Sequence, residues 1–356
     1  MKKSKLFIIA LVFAFVLAAC AAPAAEEAAA PAAEEAAPAA GEAAELDLTK
    51  LTFAVCSKST GGSWWSRYEV GILEYAAETG VNAFNCGPAK NDAAAQIGIL
   101  DEIIAQGVDG LGNVPYGVEE HEAIHLKAMD AGIPVVLHEA PLATNADYDV
   151  EAFDNCEYGA RMMDELAAMM GEEGVYVSFT GSLTNDTHMI WQNCAYDRQL
   201  EAYPNLTRLG LYESREDQEI SYQIFKDLLK TNPEIKGMTG SSSGDVVAIG
   251  RAIQEAGLTD DIFTIGTTMA SYAGEMLATG DVDMGMGWDP ALAGKAICVL
   301  LEKILKGETI ETGISLGIPG YENVTVAPND NGLMIVTGAA WIIFTPENYT
   351  DPTFYF

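Results

Sequence analysis

Positive charge is scarce in this chain. Its 356 residues carry 19 Lys and Arg against 52 Asp and Glu, for a formal net charge of -33. Binding a phosphate backbone needs cations that displace its counterions, so no nucleic-acid partner is expected. A G-x-x-x-x-G-K-[ST] phosphate loop is absent, as is a G-x-G-x-x-G fingerprint after the first strand-like run, which argues against a nucleotide enzyme. The six cysteines contain no CxxC pair. Hydrophobic residues, by contrast, make up 49% of the chain, too many for general disorder and enough for one or two domains with large cores. Such cores need no staples, so Cys56, Cys86, Cys156, Cys194 and Cys298 are expected as buried free thiols. Cys56 and Cys86, which close consecutive predicted strands, are the one pair to test.

Residues 1–19 begin with Lys2, Lys3 and Lys5, continue through an apolar run from Leu6 and end in small residues before Cys20. The run falls short of the ~20 residues that span a bilayer, and the pattern is that of an export signal. Residues 20–50 follow as a linker of Ala, Glu and Pro in near-repeats of AAPAAEE, with almost nothing to bury. Its six glutamates, Glu26, Glu27, Glu34, Glu35, Glu42 and Glu45, are a small part of the acidity, so the body itself is acidic. That charge favours solubility and repulsion from anionic surfaces, and names no ligand.

From Leu51 onward strand-like runs alternate with amphipathic stretches. Strands are predicted at LTFAVC from Leu51, VNAF from Val81, GLGNV from Gly110 and IPVVL from Ile133. Helices are predicted between them, near 65–78, 93–106 and 118–130. A second set has strands at VYVSF from Val175, LGLY from Leu209, KGMTG from Lys236, FTIG from Phe263 and DMGMG from Asp283, with helices near 187–202, 217–230, 246–256 and 291–306. This rhythm predicts an α/β chain of two Rossmann-like lobes, each a parallel sheet covered by helices, with a cleft between them. Ligands of parallel sheets bind beyond the strands' carboxyl ends. Polar clusters fall there: CSKSTGGSWW, HEAP, TGSLTNDTH, SSSGD and WDP.

Two enzyme-like motifs need weighing. His121-Glu122-Ala123-Ile124-His125 spells HExxH, which in zincins sets two imidazoles one helical turn apart beside a glutamate base. Here it lies on a predicted crossover helix, both histidines share a face with Ile124 and Ala128, and Glu139 is the only nearby third ligand, so a structural helix face is expected. Gly240-Ser241-Ser242-Ser243-Gly244 matches G-x-S-x-G between a strand and a helix. An α/β-hydrolase places its histidine after that serine, and His121, His125, His138 and His188 all precede it. Hydroxyls and N–H groups at a helix start suit hydrogen bonding to a polar ligand instead.

Leu17-Ala18-Ala19-Cys20 resembles the lipobox of bacterial lipoproteins. Together with the element order, Gly132-Ile133-Pro134-Val135-Val136 before Glu139, FDNCEYGARMMDEL around Asp154 and Asn155, SSSGDVVAIGRAIQEAG and the stretch from Gly287 to Lys306, the chain resembles the type I periplasmic binding proteins of sugar ABC transporters. Within that superfamily it is most similar to the rhamnose-binding and autoinducer-2-binding branch. Lys58 stands where that branch has a ligand-contacting lysine, Glu139 where it has an aspartate, and Trp288-Asp289 repeats its WD. It departs from the branch at Asp186, Thr187 and His188, where an Asp-Gln pair precedes Trp191, and at Ser241 and Ser243, which replace Pro and Ala. The hydroxyl-rich result favours a sugar.

The resemblance implies the type I periplasmic binding protein fold, with residues 51–140 and 289–309 in the first lobe and 141–288 and 310–356 in the second, joined by a three-segment hinge. It implies a receptor that closes on a simple sugar, delivers it to a membrane permease and is tethered through lipidated Cys20. A monomer without cofactor, metal or catalysis is expected, anchored outside the cytoplasm. Sugars present apolar faces and polar edges, which call for aromatic plates and planar carboxylates or amides. The expected ligand-binding set is therefore Lys58, Trp64, Trp65, Glu139, Asp154, Asn155, Asp186, Thr187, His188, Trp191, Ser241, Ser243, Thr268, Trp288 and Asp289. Asp154 and Asp289 also suit helix capping, and Trp191 the core. An autoinducer-2 or nucleoside receptor on the same fold is the alternative, and a secreted zinc or serine hydrolase a distant one.

Overall fold

The structure is a computed structural model that describes residues 46–352, 354 and 356. The signal segment, Cys20 and most of the linker lie outside the described residues. The first lobe's elements are β1 (Thr52–Cys56), α1 (Gly62–Thr79), β2 (Asn82–Cys86), α2 (Ala93–Gln106), β3 (Gly110–Asn113), α3 (Val118–Asp130), β4 (Val135–His138) and β5 (Tyr148–Glu151). Then come α4 (Asn155–Met170), β6 (Gly174–Thr180), α5 (Asp186–Ala202), β7 (Leu206–Glu213), α6 (Gln218–Thr231), β8 (Ile235–Gly240), α7 (Asp245–Ala256), β9 (Phe263–Thr267), α8 (Ala270–Thr279) and β10 (Met284–Gly287). The chain ends with α9 (Pro290–Leu305), β11 (Thr325–Pro328), β12 (Met334–Thr337) and β13 (Ile342–Phe344).

Two sheets form. One is seven-stranded, in the order β11-β12-β5-β4-β3-β1-β2, and the other six-stranded, in the order β13-β10-β9-β8-β6-β7. Pairing is parallel except for β11 with β12 and β13 with β10. The composition of β1 shows why both faces are covered: Phe53 and Val55 enter one apolar cluster while Ala54 and Cys56 enter another on the opposite face. The fold is the expected two-lobed α/β architecture.

Sheet membership differs from the expected segment assignment. β5 lies beyond residue 140, and β11 and β12 lie within 310–356, yet all three extend the first sheet, because β12 pairs in parallel with β5 and β5 with β4. The chain therefore passes between sheets at 152–154, 288–289 and 338–341. Each passage carries an aromatic ring: Phe153 lies 5.2 Å from Trp288 and 6.2 Å from Trp341 between centroids.

The expectation of free thiols is overturned for four cysteines. Cys56 and Cys86 are register partners across β1 and β2 and form a disulfide. Cys156 and Cys194 form a second, between α4 and α5. This pair follows from close helix packing. Gly159, one turn after Cys156, lets α4 approach α5 so nearly that a Cβ there would stand 2.2 Å from the Trp191 carbonyl oxygen. Gly159→Ala should therefore cost roughly 1–3 kcal/mol, toward the upper end because the obstacle is backbone. Urea unfolding checks this, and an unchanged midpoint would contradict it. Only Cys298 remains a free thiol among the described cysteines, and it is buried in α9.

Candidate functional site

Strand ends build one polar cavity. It has an empty volume of about 340 Å³ and is lined by Lys58, Trp64, Trp65, Glu139, His188, Glu216, Ser241, Ser242, Ser243, Thr267 and Trp288. Lys58 follows β1, Glu139 follows β4, Glu216 follows β7, the serines follow β8 and Trp288 follows β10, while Thr267 ends β9. Trp64 and Trp65 open α1, and His188 lies in the first turn of α5. Each is where a parallel sheet presents ligand groups.

Two carboxylates are held by unusual backbone. Glu139 and Glu216 have φ of 56° and 54°, left-handed values that cost a non-glycine residue on the order of 1 kcal/mol or more. Both side chains face the same lysine. Lys58, 1% exposed, donates from Nζ to Glu139 Oε2, and its Nζ lies 3.8 Å from Glu216 Oε1. Burial pushes the Glu139 carboxyl up, but Lys58, helped by His138 and His188, overrides it and holds the group at about 2. Burial also works against the Lys58 ammonium, and the two glutamates outweigh it and raise its pKa. Glu216 moves the other way, because burial together with Glu139 exceeds the pull of Lys58 and of the Asn91 amide. His188 is kept neutral at about 3 by burial and by Lys58.

The aromatic wall and its backing are continuous. Trp64 meets Trp288 edge to face at 4.8 Å, and Trp191, 1% exposed, stands behind at 5.2 Å from His188 and 5.8 Å from Trp288. Gln192 donates to Ser241 Oγ at 2.9 Å, and the Ser242 N–H donates to Asp245 at 3.0 Å.

Eight of the expected residues thus line the cavity: Lys58, Trp64, Trp65, Glu139, His188, Ser241, Ser243 and Trp288. The structure does not bring the other seven to its wall. Asp154 is exposed and caps α4 through the Glu157 N–H. Asn155 accepts the Trp191 indole N–H at 2.6 Å, which spends both side chains on each other. Asp186 lies in a separate groove with Glu119, Glu120 and Glu122, and Thr187 is fully buried. Thr268 donates to the Ser243 carbonyl. Asp289 caps α9 at Ala291 and accepts Arg67 Nε at 2.8 Å, so its carboxylate is committed.

Glu216, Ser242 and Thr267 line the cavity without having been picked as ligand contacts. The signal for Glu216 was its place in SRED directly after a predicted strand. HExxH behaves as a helix face: both histidines are fully buried, His121 Nδ1 donates to the Gly117 carbonyl, His125 Nε2 accepts from Asn113, and Glu122 accepts the Thr144 and Asn145 N–H groups. Among the described residues no group of three His, Cys, Asp or Glu side chains is arranged to hold a metal ion. No hydrogen bond joins Ser242 Oγ to an imidazole among them.

A cavity walled by rings and carboxylates between two parallel-sheet lobes defines a receptor for small polar solutes. A family model described as periplasmic binding protein domain matches residues 53–309, and the chain belongs to that family. The family places it outside the cytoplasm, and no described helix is long and apolar enough to cross a membrane. The D-allose-binding periplasmic protein of Escherichia coli strain K12 is 22% identical over 257 residues, 68% of this chain and 80% of that protein. The D-apiose import binding protein of Actinobacillus succinogenes is 26% identical over 172 residues, 46% of this chain, and the match spans only 54% of that protein. Among solved structures, an ABC transporter solute binding protein from Clostridium phytofermentas with bound L-rhamnose superposes with a TM-score of 0.78 at 18% identity, over 85% of this chain and 97% of that one. LsrB from Clostridium saccharobutylicum in complex with AI-2 gives 0.78 at 19% identity, over 85% and 99%. These likenesses show the fold.

Proposed function

We propose that this chain is the solute receptor of an ABC importer, capturing a simple sugar between its lobes and handing it to a membrane permease. The observation that carries the reading is one cavity lined by Trp64, Trp65 and Trp288 together with Glu139 and Ser241 to Ser243, plates for C–H faces combined with acceptors for hydroxyls. Relatives named for allose and apiose support it. The three chain passages serve as the hinge, and closure follows only because the sugar contacts both lobes. No bond is made or broken in this cycle. Once the signal segment is removed, lipidated Cys20 tethers a monomer to the cell membrane.

The autoinducer-2 reading rests on the likeness to LsrB, and the three serines weigh against it. A thermal-shift panel of rhamnose, ribose, xylose, galactose, inositol, autoinducer-2 and nucleosides separates the readings, since Tm rises with occupancy of the folded state. A sugar should give the largest shift and be recovered unchanged. Autoinducer-2 or a nucleoside leading the panel, or chemically altered sugar, would overturn the assignment. Trp64 is half-buried, so Trp64→Ala should leave the fold intact and weaken sugar binding at least ~10-fold, about 1.4 kcal/mol.

A further inference from the structure

The cavity holds more acid than base. Among the described residues lining it, Lys58 is the single cationic side chain, since His188 is neutral, while Glu139 and Glu216 both present carboxylates. Lys58 is bonded to Glu139 and lies 3.8 Å from Glu216 Oε1, which has no hydrogen-bond partner. Glu216 Oε2 accepts from Asn91 at 2.7 Å, a neutral donor that fixes the carboxylate without balancing it. The neighbouring cations are engaged elsewhere: Arg215 is exposed beside Glu213, and Arg67 holds Asp289. Behind the serines Asp245 adds a further buried carboxyl, bonded to neutral donors, among them the Ser221 hydroxyl and the Ser242 N–H.

Two further atoms mark where a ligand's polar groups belong. Trp288 Nε1, in a residue 2% exposed, and His188 Nδ1, in a residue 6% exposed, belong to residues of the cavity wall and are buried without partners. Closing the lobes over a neutral sugar would seal two carboxylates away with the single Lys58 charge to share between them, which is costly in a water-excluded site. A ligand ammonium removes that cost, and the tryptophan faces favour a cation as well.

We propose that the ligand is a polyol bearing one amine, an amino sugar or aminated cyclitol, whose ammonium takes the Glu216 carboxylate as its partner. This rests on the sugar-receptor reading and narrows it. The test is calorimetric titration of the chain with matched pairs: D-glucosamine and D-glucose, D-galactosamine and D-galactose, D-mannosamine and D-mannose. In at least one pair the amine should bind 10-fold or more tightly than its neutral parent, and N-acetylation, which removes the charge, should abolish that advantage. In Glu216→Gln the ratio within that pair should collapse toward one. Neutral sugars binding as well as or better than the amines, or a ratio that survives Glu216→Gln, overturns the amine proposal and leaves the sugar reading standing. No binding by either member of any pair overturns the amine proposal, and the sugar reading falls with it only if no sugar of the thermal-shift panel raises Tm.

Discussion

Lys58→Met should lower the stability of the unliganded protein by about 3–5 kcal/mol, because removing one partner of a buried ion pair strands the other. Lys58 and Glu139 are 1% and 4% exposed, so water cannot take over the lysine's role. Met conserves much of the volume, which keeps packing losses small beside the electrostatic one. The pH dependence carries the diagnosis. In the wild type the Glu139 carboxyl is depressed to about 2 from an ordinary 4.5. Its stabilisation is thus fully present above about pH 4.5 and lost as pH falls toward 2. Without Lys58, burial is left as the main influence and raises the carboxyl, so its contribution reverses, being present at low pH and lost as pH rises.

Buried carboxyls common to both proteins, such as Asp149, raised to about 7 chiefly by burial, cancel in the comparison. The gap between wild type and variant should therefore widen from pH 4 to pH 7.5. Urea unfolding at those two pH values measures it. A gap below about 1 kcal/mol, or one that does not grow with pH, would mean that the ion pair is not what holds this part of the cleft.

The residues that were legible share one property: a strand end and a chemically conspicuous side chain coincide. Lys58, Trp64, Trp65, Glu139 and Trp288 meet that condition, and each lines the cavity. Where residue type serves two roles equally, sequence reasoning left both roles open. Asp154 and Asp289 are carboxylates at helix starts, and the backbone N–H groups there took them. Thr267 and Thr268 differ by one step of strand alternation, which puts one hydroxyl at the cavity and turns the other to the Ser243 carbonyl. Glu216 sits in an acidic stretch whose residues part ways in the fold: Arg215 and Glu216 share left-handed backbone, yet Arg215 is exposed and Glu216 lines the cavity. β5 was hidden because Asp149 and Glu151, both buried, interrupt its apolar pattern. β11 was hidden because it is an exposed edge strand ending in Pro328.

Reduction of the two disulfides should produce the other large loss, on the order of 7 kcal/mol together. The bridges close segments of 30 and 38 residues, and loop-closure entropy assigns each about 4 kcal/mol, within a measured range of roughly 2–5. An extracytoplasmic location is the setting in which such bonds persist. Their effects should separate by position. Cys56 ends β1 immediately before Ser57 and Lys58, and Ser57 donates its N–H to the Cys86 carbonyl at 2.8 Å. Cys56→Ser with Cys86→Ser should thus lower Tm and also weaken ligand binding, by loosening the strand end that carries Lys58. Cys156 and Cys194 join α4 to α5, and their paired serine replacement should lower Tm by roughly 10 °C with little change in affinity. Thiol titration of the denatured, unreduced body from residue 46 onward should find Cys298 alone. Three reactive thiols would remove one bridge from the account, and five, or a melting curve indifferent to reductant, would remove both and return the cysteines to the free state that a large core permits.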